Sequence, residues 1–96
     1  MVIGVCRLTL HIPENHSLKG KRQVIRSLIE RVRQRFAVSV AEVDDLDQWQ
    51  SAVLGIAYVS TETAHANRVL DAVVRFIESA RVEAHVTDYA FEFLHL

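Results

Sequence analysis

The side chains of this chain that could do chemistry are cations, acids, five histidines and one thiol, and the cations are unevenly spread. Lys19, Lys21, Arg22, Arg26, Arg31, Arg33 and Arg35 fall within 17 consecutive residues, with Glu30 the one acid among them. The chain as a whole has 11 Lys and Arg against 12 Asp and Glu, a formal charge of −1. Positive charge gathered onto one element of a nearly neutral protein attracts phosphate, and RNA phosphate is the natural candidate. A solvated helix face has the same composition, and so does a row of cations paired with acids elsewhere. The turn at Asp44, Asp45 and Asp47 offers such acids.

The other groups form weaker patterns. The acidic turn lacks the glycine and distal glutamate of an EF-hand loop, and Asp is common in turns because it tolerates their backbone conformations. His11, His16, His65, His85 and His95 make no His-x-His, His-x3-His or HExxH spacing, so no metal site is expected. Cys6 is the only cysteine, which excludes an intrachain disulfide and a thiolate zinc cluster. It alternates with core residues and reads as buried and inert. Trp49 stands just before an apolar run, where a tryptophan either caps the core or meets a partner.

The elements that position these residues follow from periodicity. Residues 2–12 alternate, with Cys6, Leu8, Leu10 and Ile12 on one face and Val5, Arg7, Thr9 and His11 on the other, which predicts a strand. Pro13 ends it and opens a loop. Ser17 caps a helix of about 17 residues whose apolar stripe is Val24, Ile25, Leu28, Ile29, Val32 and Phe36. Ala37 to Val43 predicts a second strand, and Gln50 to Val59 a third. Ser60 or Thr61 caps a second helix, apolar at Ala66, Val69, Leu70, Val73, Phe76, Ile77 and Ala80. The last strand is expected over Arg81 to Phe93. The order β-α-β-β-α-β predicts an α+β, ferredoxin-like split βαβ domain spanning 1–96, a four-stranded antiparallel sheet with two helices on one face.

Ninety-six residues support one core, and half of them are hydrophobic. A domain this small leaves part of that apolar surface exposed, so a homo-oligomer, most simply a dimer, is expected. The predicted open sheet face fits this: Ala41, Gly55 and Ala57 would make it small and apolar, and with Trp49 they form a candidate partner interface. That face lacks the aromatics on which an RNA-recognition sheet stacks bases. The N-terminus does not read as a signal peptide, and no apolar run approaches the ~18 residues of a membrane span, so a cytoplasmic protein is expected. Ferredoxin-like acylphosphatases cradle phosphate in a glycine-rich loop with an arginine; here that loop, Pro13 to Leu18, has neither. No catalytic residue and no cofactor is assigned.

The segments His16-Ser-Leu-Lys-x-Lys-Arg22, Phe36-x-Val-Ser-Val-Ala-Glu-Val43 and Asp47-x-Trp-Gln50 together resemble the YlxP-like family of small bacterial proteins. The resemblance covers nearly the whole chain. It implies the ferredoxin-like fold and a setting near translation and the ribosome, and it supplies no catalytic residues. That pattern is commonly acidic at position 20, whereas Gly20 here leaves Ser17 without a capping-box partner.

The expectation is therefore a non-enzymatic module that touches ribosomal or other structured RNA. Ser17, Lys19, Lys21, Arg22, Arg26, Arg33 and Arg35 form the candidate nucleic-acid site, and Lys19, Lys21 and Arg22 are expected to make no core contact. The alternative is a homo-oligomeric protein-interaction module. A phosphate-handling enzyme and a small-molecule regulatory domain rank below both.

Overall fold

The computed structural model describes residues 1–13 and 15–96. Six elements follow in order: β1 (Val2–His11), α1 (Leu18–Arg35), β2 (Ser39–Asp44), β3 (Ser51–Ser60), α2 (Thr63–Ser79) and β4 (His85–His95). The strands form one antiparallel sheet in the order β2-β3-β1-β4, and both helices pack on one side of it. This is the ferredoxin-like arrangement that the element order predicts.

Alternation in β1 sends Cys6, Leu8 and Leu10 into the core, where they meet Leu54 and Ile56 of β3, Ile25, Leu28 and Val32 of α1, and Leu70, Val73, Val74 and Ile77 of α2. The helices meet at their C-terminal ends through Phe36 and Phe76, whose rings are 5.7 Å apart edge to face. Such a pair contributes about 0.5–1.5 kcal/mol beyond its buried area.

Several boundaries differ from expectation, most by one or two residues. β2 starts at Ser39, and it runs on to Asp44 because a bulge leaves Val43 unpaired between Glu42 and Asp44. β4 starts at His85, after a bend at residues 82–83. The cap of α2 is Glu62, which makes no side-chain cap bond; Ser60 Oγ accepts the Glu62 N–H at 3.1 Å, so the hydroxyl orders the approach to the helix.

Burial pushes the Cys6 thiol up to about 11 from 9.0. The folded state therefore favours the neutral thiol, and this contribution to stability is present below about pH 9 and lost as pH rises toward 11. Alkylation at pH 8 is expected to be at least ~10-fold slower in the native protein than in urea, since only an exposed thiolate reacts quickly. Equal rates would place Cys6 outside the core.

Candidate nucleic-acid interface on the first helix

Ser17 holds an extended backbone, φ −158° and ψ 155°, and its Oγ accepts the Gly20 N–H at 3.0 Å, which satisfies one of the free donors at the start of α1. Gly20 makes room rather than loosening the helix. A Cβ there would run into the side-chain oxygen of Asn15. The Asn15 amide nitrogen donates to the Ser17 carbonyl at 2.6 Å and also to the Trp49 carbonyl. Gln50 Nε2 donates to the carbonyls of Pro13 and Asn15, both at 3.2 Å, and the Ile12 N–H donates to the Gln50 carbonyl at 2.9 Å. These bonds bind the start of α1 to the turn between β2 and β3.

Lys21 completes that junction from inside. Its side chain is 1% exposed, and Nζ donates to the carbonyls of Asp45 at 2.6 Å and Ser51 at 2.9 Å, with Leu46 O farther off at 3.4 Å. Glu42 Oε2 lies 2.9 Å from Nζ but off the line of a good hydrogen bond, so charge rather than hydrogen-bond geometry holds that pair. Lys21 is thus a structural cation, and the expectation that it meets phosphate without core contact is corrected. At 100° per residue, position 21 falls in the same arc of about 60° as Ile25, Leu28 and Val32, which are the other buried residues of α1.

The same arithmetic sorts the remaining cations. Lys19, Arg22, Arg26 and Arg33 share an arc of about 60° centred about 120° around α1 from the buried one. Lys19, Arg22 and Arg26 are exposed, and among the described residues no carboxylate lies within 4.0 Å of them. Arg22 and Arg26 also line a groove of about 260 Å³ between α1 and β2. Glu30 stands between them and Arg33, whose guanidinium donates to the Val40 carbonyl on β2 at 2.9 Å. Arg35 points elsewhere: it lies over the Phe76 ring, 5.2 Å from the centroid. Its place in a continuous phosphate track is therefore corrected, because position 35 is about 160° around the helix from Lys19.

The acids of the β2–β3 turn are mostly engaged. The Asp45 N–H and the Arg7 guanidinium, 2.6 Å away, hold the Asp44 carboxyl below the usual carboxylate range. Asp45, at φ 58°, accepts Ser51 Oγ at 2.6 Å. The turn therefore meets α1 through its backbone carbonyls and Lys21, and Lys19, Arg22 and Arg26 have no carboxylate partner among the described residues.

Trp49 is 54% exposed, so it does not cap the core, and it belongs to the α1 end of the molecule rather than to the sheet face. Ala41, Gly55 and Ala57 do lie together on that face. Registered pairs there form rows: Val59, Ile3 and Leu94; then Ser39, Ala57, Val5 and Glu92; then Ala41, Gly55, Arg7 and Ala90. The small residues floor a shallow hollow of about 540 Å³. Val43 leans into it, so close that a Cβ on Gly55 would lie 2.9 Å from Val43 Cγ1.

A family model described as a protein of unknown function, DUF503, matches residues 3–91. The chain belongs to the DUF503 family. It is 36% identical over 78 residues to the uncharacterized protein YlxP of Bacillus subtilis, covering 81% of this chain and 85% of that one. Among solved structures, the de novo designed protein Foldit4 aligns over 100% of this chain and 99% of its own at a TM-score of 0.52 and 13% identity. The designed protein LFR1 1, with a ferredoxin fold, aligns over 92% and 86% at a TM-score of 0.49 and 12% identity. Membership of the DUF503 family thus accords with the YlxP-like resemblance of the sequence. Among the described residues no helix is long and apolar enough to cross a membrane.

Proposed function

We propose that this protein is a non-enzymatic, cytoplasmic RNA-contacting module that meets phosphate through the outer face of α1. The observation that carries the reading is the stripe of Lys19, Arg22 and Arg26, which is exposed on one arc of α1 with no carboxylate within 4.0 Å among the described residues, whereas Lys21 on the same helix is buried and bonded. Cations in the first turns of a helix oppose its dipole, and α1 has no acid in its first turn to offset them. Bound phosphate removes that cost. The setting near translation implied by the family resemblance makes ribosomal RNA the first ligand to test. Protein purified without ribonuclease should carry RNA, seen as a raised 260/280 nm absorbance ratio that ribonuclease abolishes, and should migrate with ribosomal particles on a gradient. A nuclease-insensitive association would favour a protein partner.

The sheet face supports a second reading, a homodimer formed face to face. Val43, Val59 and Leu94 are exposed there around the Ala41–Gly55–Ala57 floor. Strands of 10, 6, 10 and 11 residues, spaced about 4.8 Å apart with a rise of about 3.4 Å per residue, present roughly 600 Å² per copy, or roughly 1,200 Å² for a pair, the lower end of a stable interface. Sedimentation at tens of micromolar should give a dimer. Ala57→Arg or Val59→Lys should weaken it at least ~30-fold, the scale of an interface hot spot, with helix content unchanged. A wild-type monomer contradicts this reading and leaves the RNA reading standing.

A further inference from the structure

The RNA reading leaves one side chain at the same end of the molecule without a role. Trp49 is the only tryptophan, and it is more than half exposed on a turn that is otherwise held rigidly. An exposed indole on a loose loop needs no explanation. This one sits on a turn anchored at four points: Lys21 on Asp45 and Ser51, Asn15 on Trp49 itself, and Gln50 on the loop before α1. The Asn15 amide nitrogen touches both the Trp49 and the Ser17 carbonyls, so the backbone bearing the indole abuts the first turn of α1, where Lys19 begins the cation stripe.

We infer that Trp49 is a stacking platform for an unpaired nucleobase, so that the RNA this protein takes is single-stranded at the contact. The inference rests on the RNA reading and deepens it. Indole faces stack bases of any identity, and such a contact is worth about 1–3 kcal/mol per base. It also needs an unstacked base, which a loop, bulge or end provides and a continuous duplex does not. Charge favours this occupant over an apolar peptide. Lys19, Arg22 and Arg26, with no carboxylate within 4.0 Å among the described residues, lie on the adjoining helix, whereas the Asp44 carboxylate of the turn is paired with Arg7 and Asp45 accepts from the neutral Ser51 hydroxyl. Asp47 is the remaining exposed acid. The junction thus offers what suits a nucleotide better than a hydrophobic peptide: one exposed aromatic ring on a turn whose backbone adjoins the first turn of the helix that carries the cations. The open sheet face, with its hollow of small aliphatic residues, supplies no ring for a base.

Because stacking is uncharged, it separates cleanly from phosphate contact in a titration. The test uses ribonuclease-treated full-length protein with a 12-nucleotide oligouridine and a 12-base-pair RNA duplex as probes. Single-strand binding is expected to quench the intrinsic fluorescence of Trp49, and the duplex to change it little. Trp49→Ala should weaken oligouridine binding about 10- to 100-fold without altering the log–log salt slope, and Trp49→Phe should restore most of the loss. The α1 variant Lys19→Gln/Arg22→Gln/Arg26→Gln should do the reverse, lowering the slope while bound oligouridine still quenches. If both probes bind equally and Trp49→Ala changes neither, the stacking platform is wrong while the RNA reading survives. If neither probe binds at low salt, both fall.

Discussion

Replacing Lys21 with Ala is expected to destabilise the fold by about 3–5 kcal/mol, a large fraction of the ~5–15 kcal/mol that holds a domain of this size. The substitution removes the donor to two backbone carbonyls, at 2.6 and 2.9 Å, and leaves the largely buried carboxylate of Glu42 without its counter-charge. Unpaired buried groups of this kind account for most severe single-site losses. Urea unfolding should show a lower midpoint with little change in slope. Lys19→Ala, two residues away and exposed, should stay within about 0.5 kcal/mol of wild type. Changing the pair together, Lys21→Met with Glu42→Leu, should recover much of the loss, because the uncompensated charge disappears with its partner. A Lys21→Ala protein as stable as Lys19→Ala would mean that the junction between α1 and the β2–β3 turn does not hold the fold.

The second large effect concerns binding. The variant Lys19→Gln/Arg22→Gln/Arg26→Gln removes three exposed charges and leaves Lys21 in place, so folding should be nearly unchanged. If each cation neutralises one phosphate, the salt slope of RNA binding becomes shallower by about 2–3, which amounts to a loss of about 100-fold near 0.15 M salt. Arg68→Gln/Arg75→Gln/Arg81→Gln makes the matched control, since it changes net charge equally on and after α2. Arg75 there is already bound to Asp71 at 2.8 Å, so the control disturbs only an exposed pair of small value. Equal losses from both triple variants would show that net charge alone matters and that α1 is no site.

The fold was legible because each element has one unambiguous period. β1 alternates through Cys6, Leu8 and Leu10, and α1 repeats through Ile25, Leu28 and Val32, so the element order and the buried faces follow directly. The strand ends were less legible. The bulge at Val43 and the late start of β4 depend on pairing across strands, which a linear pattern does not encode. At the site, the outer stripe of Lys19, Arg22 and Arg26 was readable from helical spacing. Lys21 was misassigned by residue type, although the same spacing places it with Ile25 and Leu28; position on the wheel was the better guide. Arg35 was likewise grouped by charge with residues on the other side of the helix. Asn15 carried no signal, because its work is to bridge Ser17 and Trp49, which lie 32 residues apart in sequence and meet only in the fold. Trp49 was visible as unusual, but the sequence grouped it with the sheet face, and only the anchored turn brings it to α1.

The most direct test of the account is the binding of ribonuclease-treated wild-type protein to a ribosomal RNA fragment containing an unpaired loop, measured across salt. The account predicts binding at low salt that weakens as salt rises, with a log–log slope of about −2 to −3, as expected if Lys19, Arg22 and Arg26 each neutralise one phosphate. Absence of binding at ~20 mM salt, or a slope near zero, would contradict it.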